Sequence, residues 1–456
     1  MREMVRLSEV AQINPRFDKS SLADDALVSF VPMAAVGAAD GQIDASTARP
    51  FSEVKKGYTP FREGDVLFAK VTPCMENGKM AVARGLRNGV GFGSSEFHVL
   101  RPTERVDAKY LYHFVSSESF RKEAARHMTG AVGLRRVPTA FLSEAAMPLV
   151  DLDEQRRIVA EIDKQFSRLD EAVANLQRVK ANLKRYKAAV LKAAVEGRLV
   201  ETEASIARRE GRGYESGEQL LQRVLLARPD QWSARGRYVE PLPAETRDLS
   251  PLPEGWIWAS VDQLSDFVTK GTTPAATKLS DGAGDVQFLK VYNLTFDGSL
   301  NHTHKPAYVS RDTHKNDLAR SQVFPGDVLI NIVGPPLGQV SLVPPHIEEA
   351  NINQAIARIR PVKPVGSEFI VVALMCDDIM RWAIRRGKTT AGQSNLTLEL
   401  CRALPIPLPP FAEQSRIVAE VDRRLSIIRE VESEVDASLQ RGLRLRQSVL
   451  HSSFVA

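Results

Sequence analysis

The sequence has few features of a secreted, membrane-embedded or disulfide-linked protein. Its 456 residues include three cysteines, Cys74, Cys376 and Cys401, and none belongs to a Cys-x-x-Cys pair, so neither a disulfide framework nor a zinc site is expected. The longest apolar run, residues 369–376, is far shorter than the roughly 20 residues of a membrane-spanning helix. The N-terminus lacks the apolar core of a signal peptide. We therefore expect a cytoplasmic protein with no membrane partner.

Sequence signatures of catalysis are also absent. There is no Gly-x-x-x-x-Gly-Lys-Ser/Thr phosphate-binding loop, no Gly-x-Ser-x-Gly nucleophile elbow and no His-Glu-x-x-His metal motif. The eight histidines are scattered, and the close pair His302 and His304 is more typical of a surface turn than of a metal site. The sequence predicts no catalytic residue, no metal site and no cofactor in this chain.

The overall composition is that of a globular protein with a mild excess of positive charge. Hydrophobic residues make up 43% of the chain and charged residues 26%, with a net charge of +5 and an isoelectric point near 9.0. This is ample apolar material for two separate cores. A mildly basic chain permits binding to nucleic acid but does not require it.

The chain repeats itself with an offset of 259 residues. Residues 147–171 and 406–430 are identical at 12 of 25 positions without a gap. The period is much longer than the 20–50 residues of a solenoid repeat. It indicates a duplicated module, a globular domain followed by a long helix, with a pseudo-two-fold relation between the halves. Such a relation would make the two equivalent helices antiparallel.

Residues 153–199 have the pattern of a long helix with a coiled-coil seam. Asp153 is a candidate N-cap and Gly197 a candidate end. The apolar positions that recur at seven-residue spacing are Ile162, Leu169, Leu176, Leu183 and Val190, joined first by Phe166 and Val173 and then by Val179 and Tyr186. The second copy keeps this register from Val421 onward, although Gly442 interrupts its apolar pattern.

These patterns predict an α+β protein of five segments. Two similar mixed α/β domains are each followed by a long helix, and the two helices pack as an antiparallel coiled coil. The first domain has strand patterns at residues 65–70 and 97–101 and one helix from Tyr110 to about residue 125. The connector contains a short helix from Gly217 to Arg228. The predicted segments are domain 1 (1–150), the first helix (151–200), the connector (201–251), domain 2 (252–408) and the second helix (409–456).

One candidate binding loop in each domain follows a matching Gly-Asp-Val-Leu strand, at residues 64–67 and 326–329. Residues 70–79 form a polar loop whose side chains suit phosphates and base edges, notably Lys70, Thr72, Asn77 and Lys79. A hairpin turn whose polar side chains bind no ligand is the simpler interpretation, because Asn-Gly is a strong hairpin signal. The equivalent residues 331–339 contain no lysine, so the two loops would read different partners.

A second candidate loop follows the internal helix of each domain, at residues 126–136 and 385–395. Both loops combine arginine or lysine with glycine and other small residues, which allows the backbone to approach a polyanion closely. A solvated surface loop without a ligand explains the same composition, and this alternative stays open at the level of the sequence.

The chain resembles the specificity subunit of type I restriction-modification enzymes over essentially its full length. Residues 407–418, Pro-Leu-Pro-Pro-Phe-Ala-Glu-Gln-Ser-Arg-Ile-Val, and their weaker copy at 148–159 look like that family's entry into its conserved helices. Residues 191–200 look like the end of its first spacer helix, and residues 252–256 like the start of its second target-recognition domain. Residues 72–79 and 351–356 resemble stretches within its recognition domains. The chain departs from the pattern after its second helix, where no Gly-x-Leu-Val follows.

The resemblance implies a non-catalytic, DNA-reading subunit. Each target-recognition domain would read one half of a bipartite, asymmetric double-stranded DNA sequence, and the helices would hold the domains a fixed distance apart. The partners would be two methyltransferase (modification) subunits and the restriction/translocase subunits, which would carry S-adenosylmethionine, ATP and Mg. The candidate DNA contacts are Lys70, Thr72, Asn77, Lys79, Arg135, Arg136, Lys290, Asn293, Asn331, Gln339, Lys388, Gln393 and Asn395. The candidate subunit-docking residues are Glu154, Gln155, Arg157, Glu413, Gln414 and Arg416.

A coiled-coil adaptor with two protein-binding domains is the alternative function. Salt dependence separates the two, because neutralising phosphates releases counterions and makes DNA affinity fall steeply with salt. Specific DNA binding would also require two sequence blocks at one spacing.

Overall fold

The computed structural model describes residues 3–38, 40–131, 133–231, 237–334, 336–390 and 393–454, without the side chains of residues 231, 388–390, 393 and 394. The chain forms two compact units. Unit 1 comprises Met1–Arg178 and Val435–Ala456, and unit 2 comprises Val179–Glu434. The five segment boundaries given above stay predictions.

The regular elements are numbered along the chain. Those of the first part are β1 (Glu3–Arg6), α1 (Leu7–Val10), β2 (Ala11–Ile13), β3 (Leu27–Val31), β4 (Ala48–Pro50), α2 (Phe51–Val54), β5 (Thr59–Arg62), β6 (Val66–Ala69), β7 (Met80–Val82), β8 (Val90–Gly93), β9 (Phe97–Pro102), α3 (Ala108–Ser116), α4 (Glu118–Arg126), β10 (Thr129–Ala131), β11 (Leu134–Arg136), α5 (Thr139–Glu144), β12 (Ala146–Leu149) and α6 (Leu152–Val195).

The remaining elements start in the connector. They are α7 (Glu203–Glu210), α8 (Gly217–Gln231), β13 (Ile257–Ser260), α9 (Val261–Leu264), β14 (Ser265–Lys270), β15 (Ser280–Asp281), β16 (Val286–Leu289), β17 (Ala307–Val309), α10 (Arg311–Lys315), β18 (Gln322–Val323), β19 (Val328–Asn331), β20 (Val340–Leu342), β21 (Ala350–Ile352), β22 (Ile356–Pro361), α11 (Ser367–Leu374), α12 (Asp377–Arg386), β23 (Lys388–Thr390), β24 (Gln393–Asn395), α13 (Leu398–Ala403), β25 (Pro405–Leu408) and α14 (Phe411–Phe454).

Unit 1 is built on two four-stranded sheets. One has the order β2-β9-β6-β7 and is antiparallel, and the other has the order β4-β3-β8-β5 with β3 and β8 parallel. Strand β6 is buried on both faces. Because alternate side chains of a strand point to opposite faces, Val66 and Phe68 pack with helices α3 and α4, whereas Leu67 and Ala69 pack with Phe61 in a second core.

Unit 2 repeats this plan with a different second sheet. Its antiparallel sheet has the order β14-β22-β19-β20, and its second sheet has five strands in the order β15-β17-β16-β21-β18, with β16 and β21 parallel. Alternate residues of β19 again divide between two cores, since Val328 and Ile330 join one core and Leu329 the other. The predicted mixed α/β character of both modules is confirmed.

The two long helices pack antiparallel within each unit. In unit 1, Asp170 of α6 pairs with Arg446 of α14 at 2.7 Å, and Val173 lies against Gly442, so the partner number falls as the residue number rises. In unit 2, residues 190–195 of α6 share a core with residues 417–428 of α14. Helix α14 continues through Gly442. No helix in the described ranges has both the length and the apolarity needed to cross a membrane.

The details of the first long helix differ from the prediction. It begins at Leu152, and the side chain of Asp151, not Asp153, accepts a hydrogen bond from the Glu154 N–H at 2.8 Å. It ends at Val195, and Gly197 follows in the left-handed conformation with a φ of 65°. The seam is buried towards its ends only. Val179 and Tyr186 are 39% and 47% exposed, so the expected central packing of these two residues is wrong.

The internal helix of domain 1 and the connector also differ from expectation. Instead of one helix from Tyr110, two helices meet at Ser117, whose Oγ accepts a hydrogen bond from the Phe120 N–H and starts α4. The connector helix α8 forms as predicted, with Leu220, Leu221 and Val224 buried. The preceding helix α7 was not predicted from the sequence.

Candidate nucleic-acid interface

The strand that leads into each predicted loop is held by the same ion pair. The Arg101 guanidinium donates to both carboxylate oxygens of Asp65, at 2.9 and 2.8 Å. Arg360 donates to both oxygens of Asp327 at 2.7 Å. Each aspartate also caps the turn before its strand. The Gly-Asp-Val-Leu runs recur in the sequence together with Arg-Pro at residues 101–102 and 360–361, and the aspartate and arginine of each pair contact each other in the fold.

The two predicted loops of each domain lie side by side. In unit 1, Val71 bridges Arg136, and the Val137 N–H donates to the Lys70 carbonyl at 2.9 Å. The equivalent bridge of unit 2 joins Val333 to Asn395. Residues 126–136 and 385–395 are not open loops, since each contains a two-stranded hairpin, β10–β11 or β23–β24. We call the contact of the loop with the hairpin the loop–hairpin junction.

In unit 1 the junction is reinforced by polar side chains. The Thr72 Oγ1 accepts a hydrogen bond from the Arg135 N–H at 3.1 Å and donates to the Gly133 carbonyl at 3.2 Å. Arg136 donates two hydrogen bonds to the carboxylate of Glu96, at 2.9 and 2.7 Å. This bidentate contact with Arg136 lowers the pKa of Glu96. Thr72 therefore holds the hairpin against the loop, and Arg136 joins the hairpin to the residue before strand β9.

Three predicted contacts of unit 1 remain available to a ligand. The Arg135 side chain is 44% exposed and lies 3.8 Å from Glu76 in a loose ion pair. Asn77 is exposed and Lys70 is half-buried. These groups offer two cations and an amide to a polyanion. In the described ranges, no group of three or more His, Cys, Asp or Glu side chains is close enough to hold a metal ion.

Lys79 has a structural role that the sequence did not indicate. Its ammonium donates to the backbone carbonyls of Met33 and Val36, both at 3.0 Å. It thus connects the loop to a segment of the second sheet and is not positioned as a free phosphate contact.

Three predicted amide contacts of unit 2 are also used within the fold. Asn293 is 2% exposed, donates to the carbonyls of Asn301 and His304 and accepts from the Lys290 N–H. Asn331 is 1% exposed and donates to the Pro336 carbonyl at 2.7 Å. Gln339 donates to the Leu294 carbonyl at 2.8 Å. Asn293 and Asn331 thus shape the loop from within and are not presented to a ligand, whereas Gln339 is half-buried.

Two other predicted contacts of unit 2 make fewer side-chain contacts within the fold. Lys290 is half-buried, with its ammonium 5.9 Å from the centre of the Tyr292 ring. The Oδ1 of Asn395 is buried and accepts no hydrogen bond from the described residues. The side chains of Lys388 and Gln393 lie outside the described part of the structure. Lys290 and Asn395 therefore remain the described candidates of this unit.

Two of the predicted docking residues instead anchor the helices to their domains. The Gln155 Oε1 accepts from the Asp107 N–H at 2.8 Å, and its Nε2 donates to the Val150 carbonyl at 2.8 Å. The Gln414 Oε1 accepts from the Gly366 N–H at 3.0 Å, and its Nε2 donates to the Pro409 carbonyl at 3.0 Å. Each glutamine is almost fully buried. Both side chains are therefore engaged within their own unit, and the docking role of these two residues stays a prediction.

The sequence is similar to specificity subunits of known type I restriction enzymes. Residues 2–185 match the family model described as the type I restriction modification DNA specificity domain. The chain is 26% identical to the type I restriction enzyme EcoEI specificity subunit of Escherichia coli and 24% identical to the EcoAI specificity subunit of the same species. Both alignments cover 98% of this chain and 81% of the relative.

Two solved structures have a similar fold. One belongs to a study of complex assembly and conformational transition of the type I R-M system, with a TM-score of 0.69, 20% identity and coverage of 99% of this chain and 97% of that one. The other is the HsdS subunit from Thermoanaerobacter tengcongensis, with a TM-score of 0.56, 20% identity and coverage of 99% and 96%.

Proposed function

Because the chain belongs to the family of type I restriction-modification specificity subunits, we propose that each of its two units reads one half of a bipartite, asymmetric DNA target. The observation that carries this proposal is the loop–hairpin junction, which both units build with equivalent backbone contacts but with different side chains. The same backbone arrangement with different hydrogen-bonding side chains suits the recognition of two different half-sites.

The loops of the two junctions differ in charge, although both hairpin segments contain basic residues. Residues 70–79 of unit 1 contain Lys70 and Lys79, whereas residues 331–339 of unit 2 contain neither lysine nor arginine. Cations favour phosphates and guanine edges, and amides favour adenine edges. We therefore assign Lys70, Asn77 and Arg135 to one half-site, and Lys290 and Asn395 to the other.

The chain is a DNA-recognition subunit and acts within a complex. Type I specificity subunits work together with DNA and with modification and restriction subunits. We propose that two methyltransferase subunits dock on the helices α6 and α14. S-adenosylmethionine, ATP and Mg would bind to these partners and to the restriction subunits, so the reaction would take place on the partners while this chain selects the site.

Exchange of one recognition domain tests the proposed function. Residues 270–400 would be replaced by the equivalent residues of a related specificity subunit, and methylated adenines would be mapped on a genome modified by the assembled complex. We expect one half of the modified motif to change and the other to stay as it was. A change in both halves would contradict the assignment of one half-site to each unit, and a change in neither would favour the adaptor function.

A further inference from the structure

The last part of the connector lies against helix α12 of unit 2. We call residues 245–252 the strap. The Trp258 indole N–H donates a hydrogen bond to the Ser250 carbonyl at 3.1 Å, and Leu249 and Leu252 pack against the main core of the unit. The second half of the strap is therefore fixed to the fold.

Two carboxylates in the first half of the strap bind the end of helix α12. The Arg386 guanidinium pairs with Asp248 at 3.0 Å and with Glu245 at 3.8 Å. The same guanidinium lies 4.3 Å from the centre of the Trp382 ring, and Trp382 is 6% exposed. A cation over the face of an aromatic ring is attracted by the ring electrons. Arg386 is thus held both by the strap and by a buried residue of its own helix.

Apolar packing fills the space between the strap and helix α12 only in part. A groove of about 420 Å³ is lined by residues 248–252 of the strap and by Ile379 and Trp382 of the helix. Side chains that do not touch across a groove gain no dispersion energy there. The ion pairs of Arg386 therefore contribute a larger share of the contact than they would in a closely packed interface.

The end of helix α12 leads directly into the hairpin of the unit 2 junction. Arg386 is the last residue of the helix, and Gly387 alone separates it from strand β23. Lys388 and Asn395, the first and last residues of the hairpin, pair with each other. Asn395 also forms the bridge to Val333 of the recognition loop. A shift of Arg386 would therefore be passed on to Asn395 through very few bonds.

Unit 1 supports the start of its hairpin in another way. His127 is the equivalent of Arg386, 259 positions earlier, and its ring stacks on Phe141 of helix α5 with 4.7 Å between the ring centres. In unit 2 the position of Phe141 is taken by Leu400, which has no ring to stack on. The two hairpins are thus supported at equivalent positions by different contacts, and in unit 2 the strap provides the contact.

We propose that Asp248 and Glu245 are positioning residues for DNA reading by unit 2. By holding Arg386 they fix hairpin β23–β24, and with it Asn395, against the recognition loop. The inference rests on the proposed function and gives the strap a part in sequence discrimination. A direct contact of the strap carboxylates with DNA phosphates is disfavoured, because like charges repel each other.

The test compares two double variants that each remove two negative charges. Glu245→Gln/Asp248→Asn removes the ion-pair partners of Arg386. Asp230→Asn/Glu240→Gln is the matched control, because both of its residues are exposed and, among the described residues, neither pairs with helix α12. The chain is assembled with its modification subunits, and binding is measured to the target and to targets with one base pair changed in either half-site. Exchange of residues 270–400 identifies the half-site that unit 2 reads.

The strap variant should lose about fivefold of its discrimination at the half-site of unit 2, the lower range for the loss of one base contact, and less than about twofold at the other half-site. The control should keep its discrimination at both. Equal discrimination in the two variants, or an equal loss at both half-sites, would overturn the proposal. A steeper salt dependence of the strap variant with unchanged discrimination would also overturn it, because the released Arg386 would then contact a phosphate.

A third variant tests whether the carboxylates act through Arg386. Arg386→Gln should reproduce the loss of discrimination, and its combination with the strap variant should add nothing further, because the residues belong to one contact. Additive losses would overturn the proposal. If the unaltered complex recognised no bipartite target, the DNA-reading function itself would fail, and this outcome is seen before any variant is compared.

Discussion

The two units keep the contacts that join a helix to its sheet and differ in the charges that surround those contacts. The glutamine anchors and the aspartate–arginine pairs recur at equivalent positions with nearly equal distances. The carboxylates Asp163 and Asp422, by contrast, occur at equivalent positions and have pKa shifts of opposite sign. Duplication has thus preserved the frame of each unit while its polar neighbourhoods have become different.

The neighbours of the two aspartates account for this difference. In unit 1, contact with His113, then with Lys109, lowers the pKa of Asp163 to about 2. In unit 2, Val372 is equivalent to His113 and Glu368 is equivalent to Lys109. Burial and the charge of Glu368 raise the pKa of Asp422, although Arg429 opposes them.

The largest predicted effect tests whether the preserved anchors are equivalent. Gln155→Ala and Gln414→Ala should each lower the free energy of unfolding of their own unit by about 2–4 kcal/mol, because buried backbone groups lose their partners. Hydrogen exchange resolved along the chain during denaturant titration would assign the loss to one unit. Gln165→Ala is the control, since the amide of this half-buried glutamine donates to the Glu161 carboxylate on the surface of the same helix, and it should change the free energy by less than about 0.5 kcal/mol. A large loss in one unit only would show that the anchors are not equivalent.

The aspartate–arginine pairs should have the next largest effect. Arg101→Met and Arg360→Met each leave a buried carboxylate without its bidentate partner. We expect each to cost about 2 kcal/mol of unfolding free energy, below the 3–5 kcal/mol of a fully buried pair, because the arginines are partly exposed. Chemical denaturation of the single variants and of Asp65→Asn/Arg101→Met would measure the coupling. If the loss of unfolding free energy in the double variant equalled the sum of the losses in the two single variants, Asp65 and Arg101 would not stabilise the fold as a pair.

The architecture was predictable from the sequence because each of its main elements has a pattern that occurs twice. The seven-residue spacing identified both long helices, and the Gly-Asp-Val-Leu runs identified the central strands. The functions of individual polar residues were not predictable in the same way. Lys79, Asn293 and Asn331 are polar residues in loops, and only tertiary contacts show that their hydrogen bonds are made inside the fold. Gln155 was assigned to the surface for the same reason, although it is buried.

A smaller effect is expected at the exposed part of the unit 1 junction. Arg135→Ala should weaken binding to all DNA sequences and lower the slope of log affinity against log salt by about one unit, if the guanidinium contacts a phosphate. Lys122→Ala is the control, because its exposed side chain lies on helix α4 and pairs with Glu118. Binding isotherms at several salt concentrations would measure both. An unchanged slope combined with relaxed specificity at one base pair would indicate a base contact instead.

The smallest predicted effect follows from the opposite pKa shifts of the two aspartates. A carboxylate with a lowered pKa stabilises the fold above its ordinary pKa, and the stabilisation is lost as the pH falls towards 2. Asp163→Asn should therefore lower the free energy of unfolding of unit 1 near neutral pH, by less than about 1 kcal/mol because Asp163 is 42% exposed. Asp422 has a raised pKa, so the protonated form favours the folded state and stability falls as the pH rises through its pKa.

Asp422→Asn should consequently have the opposite sign and stabilise unit 2 at neutral pH by a few tenths of a kcal/mol. Its advantage should vanish in acid, where Asp422 is already protonated. Thermal unfolding between pH 3 and pH 7, with hydrogen exchange to separate the units, measures both variants. A sharper test also changes the charge beside Asp422. The substitution Glu368→Lys gives Asp422 a lysine at the position that Lys109 has beside Asp163. If Asp422→Asn became destabilising in that background, the charge at position 368 would account for the difference between the units, whereas an unchanged sign would leave the missing histidine contact and burial as its causes.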